Sequence, residues 1–201
     1  MAPIATRTKK SLADPTTLKP FQKKPEESTT GTALPNENLL QVVIETPKGC
    51  GNKYAFDPKQ EIFMLKAALP AGMVFPYDFG FIPRTIGGDG DPLDVLVLMD
   101  EPAYPGIALL TRLIGVIEGE QIVKDKTTRN DRLIAVAETA HIYGDLKKLK
   151  DVPEQTLREI EQFFVNDHKL QGKKFKPLAR KGPKSAQALI AQGRKAAGGK
   201  A

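Results

Sequence analysis

The sequence predicts a mainly β domain, an antiparallel barrel or sandwich, closed by two helices near its C-terminal end. Two observations carry that expectation. Short β-branched or apolar runs recur through the first two thirds of the chain, each bounded by Gly, Pro or Asp. Helical periodicity appears only after residue 150.

In chain order, Leu39-Leu40-Gln41-Val42-Val43-Ile44-Glu45 reads as a strand stopped by Thr46-Pro47-Lys48-Gly49. Further strands are predicted over Lys53 to Phe56, Ile62 to Lys66, Val95 to Met99, Ala108 to Glu120 with a break near Gly115, and Leu133 to Ala137. Asp151-Val152-Pro153-Glu154 has the form of an N-cap with a glutamate three residues on, and Leu157, Ile160, Phe163 and Phe164 then share one helical face. A second helix is predicted from Pro183, with Ala186, Leu189 and Ile190 on its apolar side.

The chain has 201 residues and 40% hydrophobic composition, enough for one sizeable core. Residues 1–36 are rich in Pro, Thr and Lys and are expected to be a flexible basic extension, 37–197 the folded catalytic domain, and 198–201 a disordered tail. No run approaches the roughly 18 apolar residues that a membrane helix needs, and residues 1–24 lack the apolar block of a secretory signal. A soluble, cytoplasmic protein without a membrane partner is therefore expected. The single cysteine, Cys50, lies in a Gly-rich turn and suggests neither a disulfide nor a zinc site.

Charge is unevenly placed. Residues 1–36 hold six Lys/Arg and three Asp/Glu, and residues 169–201 hold ten Lys/Arg and no acid. The remainder has 14 Lys/Arg against 21 Asp/Glu, so the net +6 belongs to the two ends, which are expected to be solvated. An acidic middle, no tryptophan and few aromatics among the basic residues argue against a nucleic-acid partner, although basic ends on an OB-like barrel keep that class as a rival.

The chemistry is concentrated in Asp89-Gly90-Asp91-Pro92-Leu93-Asp94. Like charges this close raise one another's pKa, and a hard divalent cation is the common way to offset the repulsion. The glycines permit sharp turns, Pro92 restricts the chain, and Val95-Leu96-Val97-Leu98 anchors the loop to the core. Oxygen donors favour Mg2+, Mn2+ or Ca2+ over Zn2+, and His141 and His168 lack zinc-site spacing. The hexapeptide does not fit an EF-hand loop. Taken alone, Asp-Gly-Asp-Pro is equally compatible with a solvated turn.

The longer series Gly80-Phe81-Ile82-Pro83, Asp89-Gly90-Asp91-Pro92-Leu93-Asp94-Val95-Leu96-Val97, Pro105-Gly106, Gly115-Val116-Ile117, Leu133-Ile134-Ala135-Val136 and Phe163-Phe164 resembles the family I soluble inorganic pyrophosphatases across about residues 39–175. The resemblance implies an α+β, mainly β fold: a small closed antiparallel OB-like barrel flanked by two C-terminal helices, forming a homo-oligomer. It also implies Mg2+-dependent hydrolysis of pyrophosphate to two orthophosphates, with Mn2+ as a substitute metal. Asp89 and Asp94 would then be metal ligands, Asp91 would accept a proton from the attacking water, Glu45 would be an outer metal carboxylate and Lys53 would contact a phosphate. A highly anionic substrate also calls for cations beside the metal; Lys53 and Arg132 are the first candidates, with Arg129 and Lys126 behind them.

Several positions depart from the family pattern. Phe75 and Phe79 stand where tyrosines are usual, Ala55 where an acid is, and Ala67 about where an arginine is. Asn130-Asp131-Arg132 replaces an aspartate, a variable residue and a lysine, so Asn130 falls at a metal position with Asp131 one residue off. Among Glu118, Glu120 and Asp125, Glu120 is the favoured substitute for another metal aspartate. Asp167-His168 replaces a Tyr-Lys pair; Lys169 is the remaining candidate for the product phosphate, and His168 is expected at the surface. These departures keep two alternatives open: a catalytically weakened phosphate-binding pseudoenzyme, and a hydrolase of triphosphate or polyphosphate.

Overall fold

The computed structural model describes residues 39–198. The extension expected over 1–36 and the residues after 198 lie outside the described residues. Among the described residues there are nine strands and two long helices: β1 Leu39–Thr46, β2 Asn52–Asp57, β3 Ile62–Ala68, β4 Asp78–Phe81, β5 Asp94–Leu98, β6 Ala108–Val123, β7 Lys126–Arg129, β8 Arg132–Ala137, α1 Glu154–Leu170, β9 Lys174–Lys181 and α2 Pro183–Gly198. A short 3-10 helix, Leu149–Asp151, precedes α1.

Strands β2 and β3 form a separate hairpin. The other seven share one sheet in the order β1-β4-β5-β8-β6-β7; β9 pairs with β6, and β1 pairs with β6 as well as with β4. The 16-residue β6 thus contacts β1, β7, β8 and β9 along its length. The break expected near Gly115 is a register shift against β8 between Leu113 and Gly115, not an interruption of the strand.

The pairing is not wholly antiparallel, as had been expected. β5 and β8 are parallel, with Val95 opposite Leu133 and Leu98 opposite Val136. The reason is topological: β8 returns antiparallel to β6 after the β6–β7 hairpin and enters the sheet beside β5, which runs in the same direction. Both strands are buried on both faces, which explains their uninterrupted apolar sequences. Val95, Leu96, Val97, Leu98, Leu133 and Ile134 are fully inaccessible.

Three strands escape the sequence pattern. β4 contains Asp78 and Gly80, and Gly80 must lack a side chain because a Cβ there would lie 2.0 Å from the Val43 carbonyl oxygen. β7 is the short polar return of a hairpin. β9 is half basic and includes Pro177, which faces Gly119 at a register shift where the missing proline N–H is tolerated. The C-terminal basic segment is consequently not a solvated end: β9 joins the sheet, and α2 buries Ala186, Ile190 and Gly193.

The helix expected from an Asp151 cap begins instead after Pro153, and Asp151 serves the preceding turn by accepting the Lys147 and Lys148 N–H groups at 3.0 Å. Leu157, Ile160, Phe163 and Phe164 do form its buried face. Phe163 meets Phe75 at 4.9 Å between ring centres, and Phe164 meets Phe175 of β9 at 5.8 Å, so α1 is fixed against the sheet by aromatic contacts.

Candidate active site

The aspartate loop is held from inside and outside. Thr85 donates its hydroxyl to the Ile82 carbonyl at 2.6 Å and accepts the Leu93 N–H at 3.0 Å, joining the two ends of the segment. The Gly87 N–H reaches the Asp91 carbonyl at 2.7 Å, and Gly90 takes the left-handed φ of 94° that the turn requires. Ile86 donates to the Gly193 carbonyl of α2 at 3.0 Å. Asp94 then becomes the first residue of β5, fixed by the ladder.

A cavity of about 730 Å3 opens beside this loop. Seven of the ten residues expected from the sequence to bind metal or substrate or to catalyse line it: Glu45, Lys53, Asp89, Asp91, Asp94, Asn130 and Arg132. They come from β1, β2, the loop, β5, the turn before β8 and β8. Glu120, Asp131 and Lys169, expected in the same place, do not line it. Glu120 lies in the ladder between Arg129 and Lys176, while its neighbour Gln121 reaches the cavity. Asp131 accepts the Gly119 N–H at 2.9 Å, pairs with Arg129 at 2.7 Å, and lines a second cavity of about 630 Å3 beneath α2, which Asp89, Asp94 and Asn130 also border. Lys169 is passed over in favour of Asp167, His168, Gln171 and Lys173.

The carboxylates are electrostatically loaded. Burial, with the charges of Asp94 and Asp91 adding to it, pushes Glu45 up to about 7 despite the Phe56 N–H it accepts at 2.8 Å. Burial likewise raises Asp94, against the lowering effect of Arg132 and Lys53, and raises Asp89, where the charge of Asp91 also contributes. Packing several oxygen anions where none is at ease suits a hard divalent cation. Among the described residues, however, no three His, Cys, Asp or Glu side chains already stand close enough together to hold one. The donor set fits such an ion, and its side chains must close around it.

The opposite rim is different in kind. Asn130 donates to the Gln121 side-chain oxygen at 3.1 Å and accepts from the Arg132 guanidinium. Arg132, 4% exposed, also pairs with Asp94 at 2.5 Å and lies over the rings of Phe164 and Phe175 at 4.7 and 5.4 Å. Asp167, 2% exposed, pairs with Lys53 at 3.8 Å. His168, expected at the surface, is buried: its Nδ1 lies 2.9 Å from the Phe164 carbonyl, and its ring packs against Phe175. Burial, helped by the charge of Arg132, pushes it down to about 4 and keeps it neutral near pH 7.

Sequence reasoning missed Gln121 as a cavity residue. Alternation along β6 would have found it only if the register shift at Leu113/Gly115 had been known, because the extra residue there, Ile114, reverses the face. Lys66 and Lys173 were missed as well, since neither is adjacent in sequence to the motif.

Fold and cavity together define a class: a mainly β protein with two helices that gathers oxygen anions and ammonium or guanidinium groups around one strand-anchored loop. A family model described as inorganic pyrophosphatase matches residues 42–197. The inorganic pyrophosphatase of Nostoc sp. is 36% identical over 164 residues, covering 82% of this chain and 95% of that protein. That of Leifsonia xyli is 39% identical, covering 67% and 80%. Among solved structures, the inorganic pyrophosphatase of Thermus thermophilus superposes with a TM-score of 0.74 at 30% identity, covering 83% of this chain and 95% of that one. The chain belongs to the inorganic pyrophosphatase family.

Proposed function

We propose that the protein hydrolyses inorganic pyrophosphate to two orthophosphates, using divalent cations, Mg2+ by preference and Mn2+ as a substitute. The single observation that carries this reading is the convergence of Glu45, Asp89, Asp91 and Asp94 with Lys53 and Arg132 on one cavity, in a chain whose relatives are inorganic pyrophosphatases. The carboxylates of Asp89, Asp94 and Glu45 would hold the cations, while the side-chain oxygens of Asn130 and Gln121 are engaged by Arg132 and by the Asn130 amide; Glu120 and Lys169 leave the expected set because they do not line the cavity, and Asp131 because its carboxylate is committed to the Gly119 N–H and Arg129. When bound, the cations neutralise phosphate oxygens and acidify water.

Asp91, exposed at the tip of the loop, is the catalytic base of this reading. It takes a proton from the attacking water as the new P–O bond forms and the bridging P–O bond breaks; the departing phosphate carries away the bridging oxygen and is protonated in turn. Lys53 meets a phosphate oxygen, and Asp167 behind it keeps its ammonium at the cavity wall. Arg132, already bonded to Asp94 and Asn130, contributes positive potential rather than a free fork.

The ring of pairings β1-β4-β5-β8-β6-β1 supports reading the sheet as a small closed OB-like barrel, with one parallel pair in it. We also propose residues 37–197 as the catalytic domain, working in the cytoplasm as a homo-oligomer. Tyr104, Ile142 and Leu65, at 78%, 76% and 58% exposure, are apolar surface that such assembly could cover.

The test is phosphate release from pyrophosphate by the purified protein with and without Mg2+, beside ATP and tripolyphosphate. Metal-dependent release from pyrophosphate is expected. Release from tripolyphosphate alone would move the substrate, and no release from any of the three would leave a phosphate-binding pseudoenzyme.

A further inference from the structure

We propose that Arg132 is a fixed countercharge built into the carboxylate cluster, holding through its guanidinium the place beside Asp94 that a further divalent cation would otherwise take. The cavity then binds one cation fewer than its ring of oxygens could accommodate. The proposal rests on the metal-binding part of the function proposed above, and extends it to the number of ions.

Geometry is the first support. Nη1 of Arg132 donates to Asp94 Oδ2 at 2.5 Å, to the Asn130 side-chain oxygen, and to the Asp131 carbonyl at 3.2 Å. Above and beside the guanidinium are Phe164 of α1 and Phe175 of β9. Partners from β5, the turn before β8, α1 and β9 therefore enclose one cationic head. Leaving would break two side-chain hydrogen bonds and uncover the faces of two aromatic rings. A lysine would carry the same charge to this place as a point charge without the planar fork, so the charge is what excludes the ion and the fork is what fixes the head.

Charge distribution is the second support. Glu45, Asp89, Asp91 and Asp94 all face the cavity, and among its other cations Lys53 is already paired with Asp167. The two oxygen-bearing groups nearest the guanidinium on this rim are amides: Asn130 and Gln121 are bonded to each other, and the Asn130 oxygen that could ligate a metal is occupied by Arg132. An ion entering beside Asp94 would have to displace the guanidinium or bear its repulsion, and the acidic side chain of that rim, Asp167, is already paired with Lys53. Asp94 thus serves as the carboxylate partner of a protein cation on one side and a candidate ligand on the other.

The experiment counts ions without turnover. Metal-free protein is titrated with Mn2+, and free Mn2+ is followed by electron paramagnetic resonance. Arg132→Met, whose side chain can still pack on Phe164 and Phe175, is expected to bind one more Mn2+ per chain than the unsubstituted protein. Arg132→Lys should keep the original count, and the double variant Asp94→Asn/Arg132→Met should lose the added ion. Circular dichroism checks each fold, and Arg132→Gln replaces Arg132→Met if the latter does not fold. An equal count, or weaker binding, in the neutral variant would overturn the proposal. Phosphate release by the unsubstituted protein separates the two readings: normal release with an unchanged Mn2+ count removes the countercharge alone, whereas absence of bound Mn2+ in every form removes the metal reading with it.

Discussion

The two rims of the cavity are built on opposite principles. On one, Asp89, Asp91 and Asp94 lie within six consecutive residues, and hydrogen bonds within the loop fix their spacing. On the other, Gln121, Asn130, Arg132, Asp167 and His168 are drawn from β6, the turn before β8, β8 and α1, and their side chains bond mainly to one another and to buried aromatic rings. The loop rim concentrates anionic charge that nothing in the protein fully neutralises. The strand-and-helix rim is internally compensated by amides, a buried guanidinium, a Lys53–Asp167 pair and a neutral imidazole. The contrast teaches that the reactive side of this site is the under-satisfied one, while the compensated side sets how many cations and phosphate oxygens it receives.

The largest effect should come from the loop rim. Asp91→Asn removes the base but preserves loop shape, so turnover is expected to fall more than about a hundredfold with unchanged circular dichroism. Turnover within a few fold of normal would show that the base is elsewhere. Asp94→Asn should instead weaken metal affinity, so that excess Mg2+ restores part of the rate; a loss insensitive to Mg2+ would assign Asp94 to holding Arg132 alone.

Making the second rim resemble the first should act next. Asn130→Asp with Gln121→Asp adds two carboxylates where the pairing is now amide to amide, and Mn2+ affinity should rise by about tenfold or more. Unchanged affinity would mean that this rim never approaches the ion.

The pH dependence of stability separates the rims by sign. In metal-free protein, Glu45 titrates near 7 rather than 4.5, so its contribution is complete below about 4.5 and is lost as the pH rises toward 7. His168 titrates near 4 rather than 6.5; its contribution is complete above about 6.5 and is lost as the pH falls toward 4. Urea denaturation across this range should show Glu45→Gln gaining on the unsubstituted protein with rising pH, and Mg2+ should shrink that gain at neutral pH. Parallel curves for the two proteins would remove Glu45 as a strained carboxylate.

The smallest effect should follow Phe79→Tyr. Phe79 is buried against Phe75 and Phe164 yet lines the cavity, so an added hydroxyl supplies about one hydrogen bond, on the order of 1 kcal/mol, to a phosphate oxygen. A fall of a few fold in KM for pyrophosphate is expected; a loss of stability without that fall would show that the ring faces the core alone.

Composition and local pattern were enough for the central strands, the buried face of α1 and the start of α2, because continuous apolar runs and helical spacing depend only on neighbouring residues. They were enough for the Asp89–Asp94 rim for the same reason: contiguous carboxylates between a glycine turn and a buried strand have few other ways to be arranged. Long-range pairing decided the rest. The extra residue of β6 between Leu113 and Gly115 reverses its alternation, and Gln121 rather than Glu120 reaches the cavity. The return of β8 beside β5 created the parallel pair, and pairing with β6 made a strand of the basic segment at 174–181. Burial of Asp167, His168 and Arg132 among residues far away in the chain turned a charged list into a compensated network, since the cost of a charge is set by what surrounds it in space and not by what precedes it in sequence.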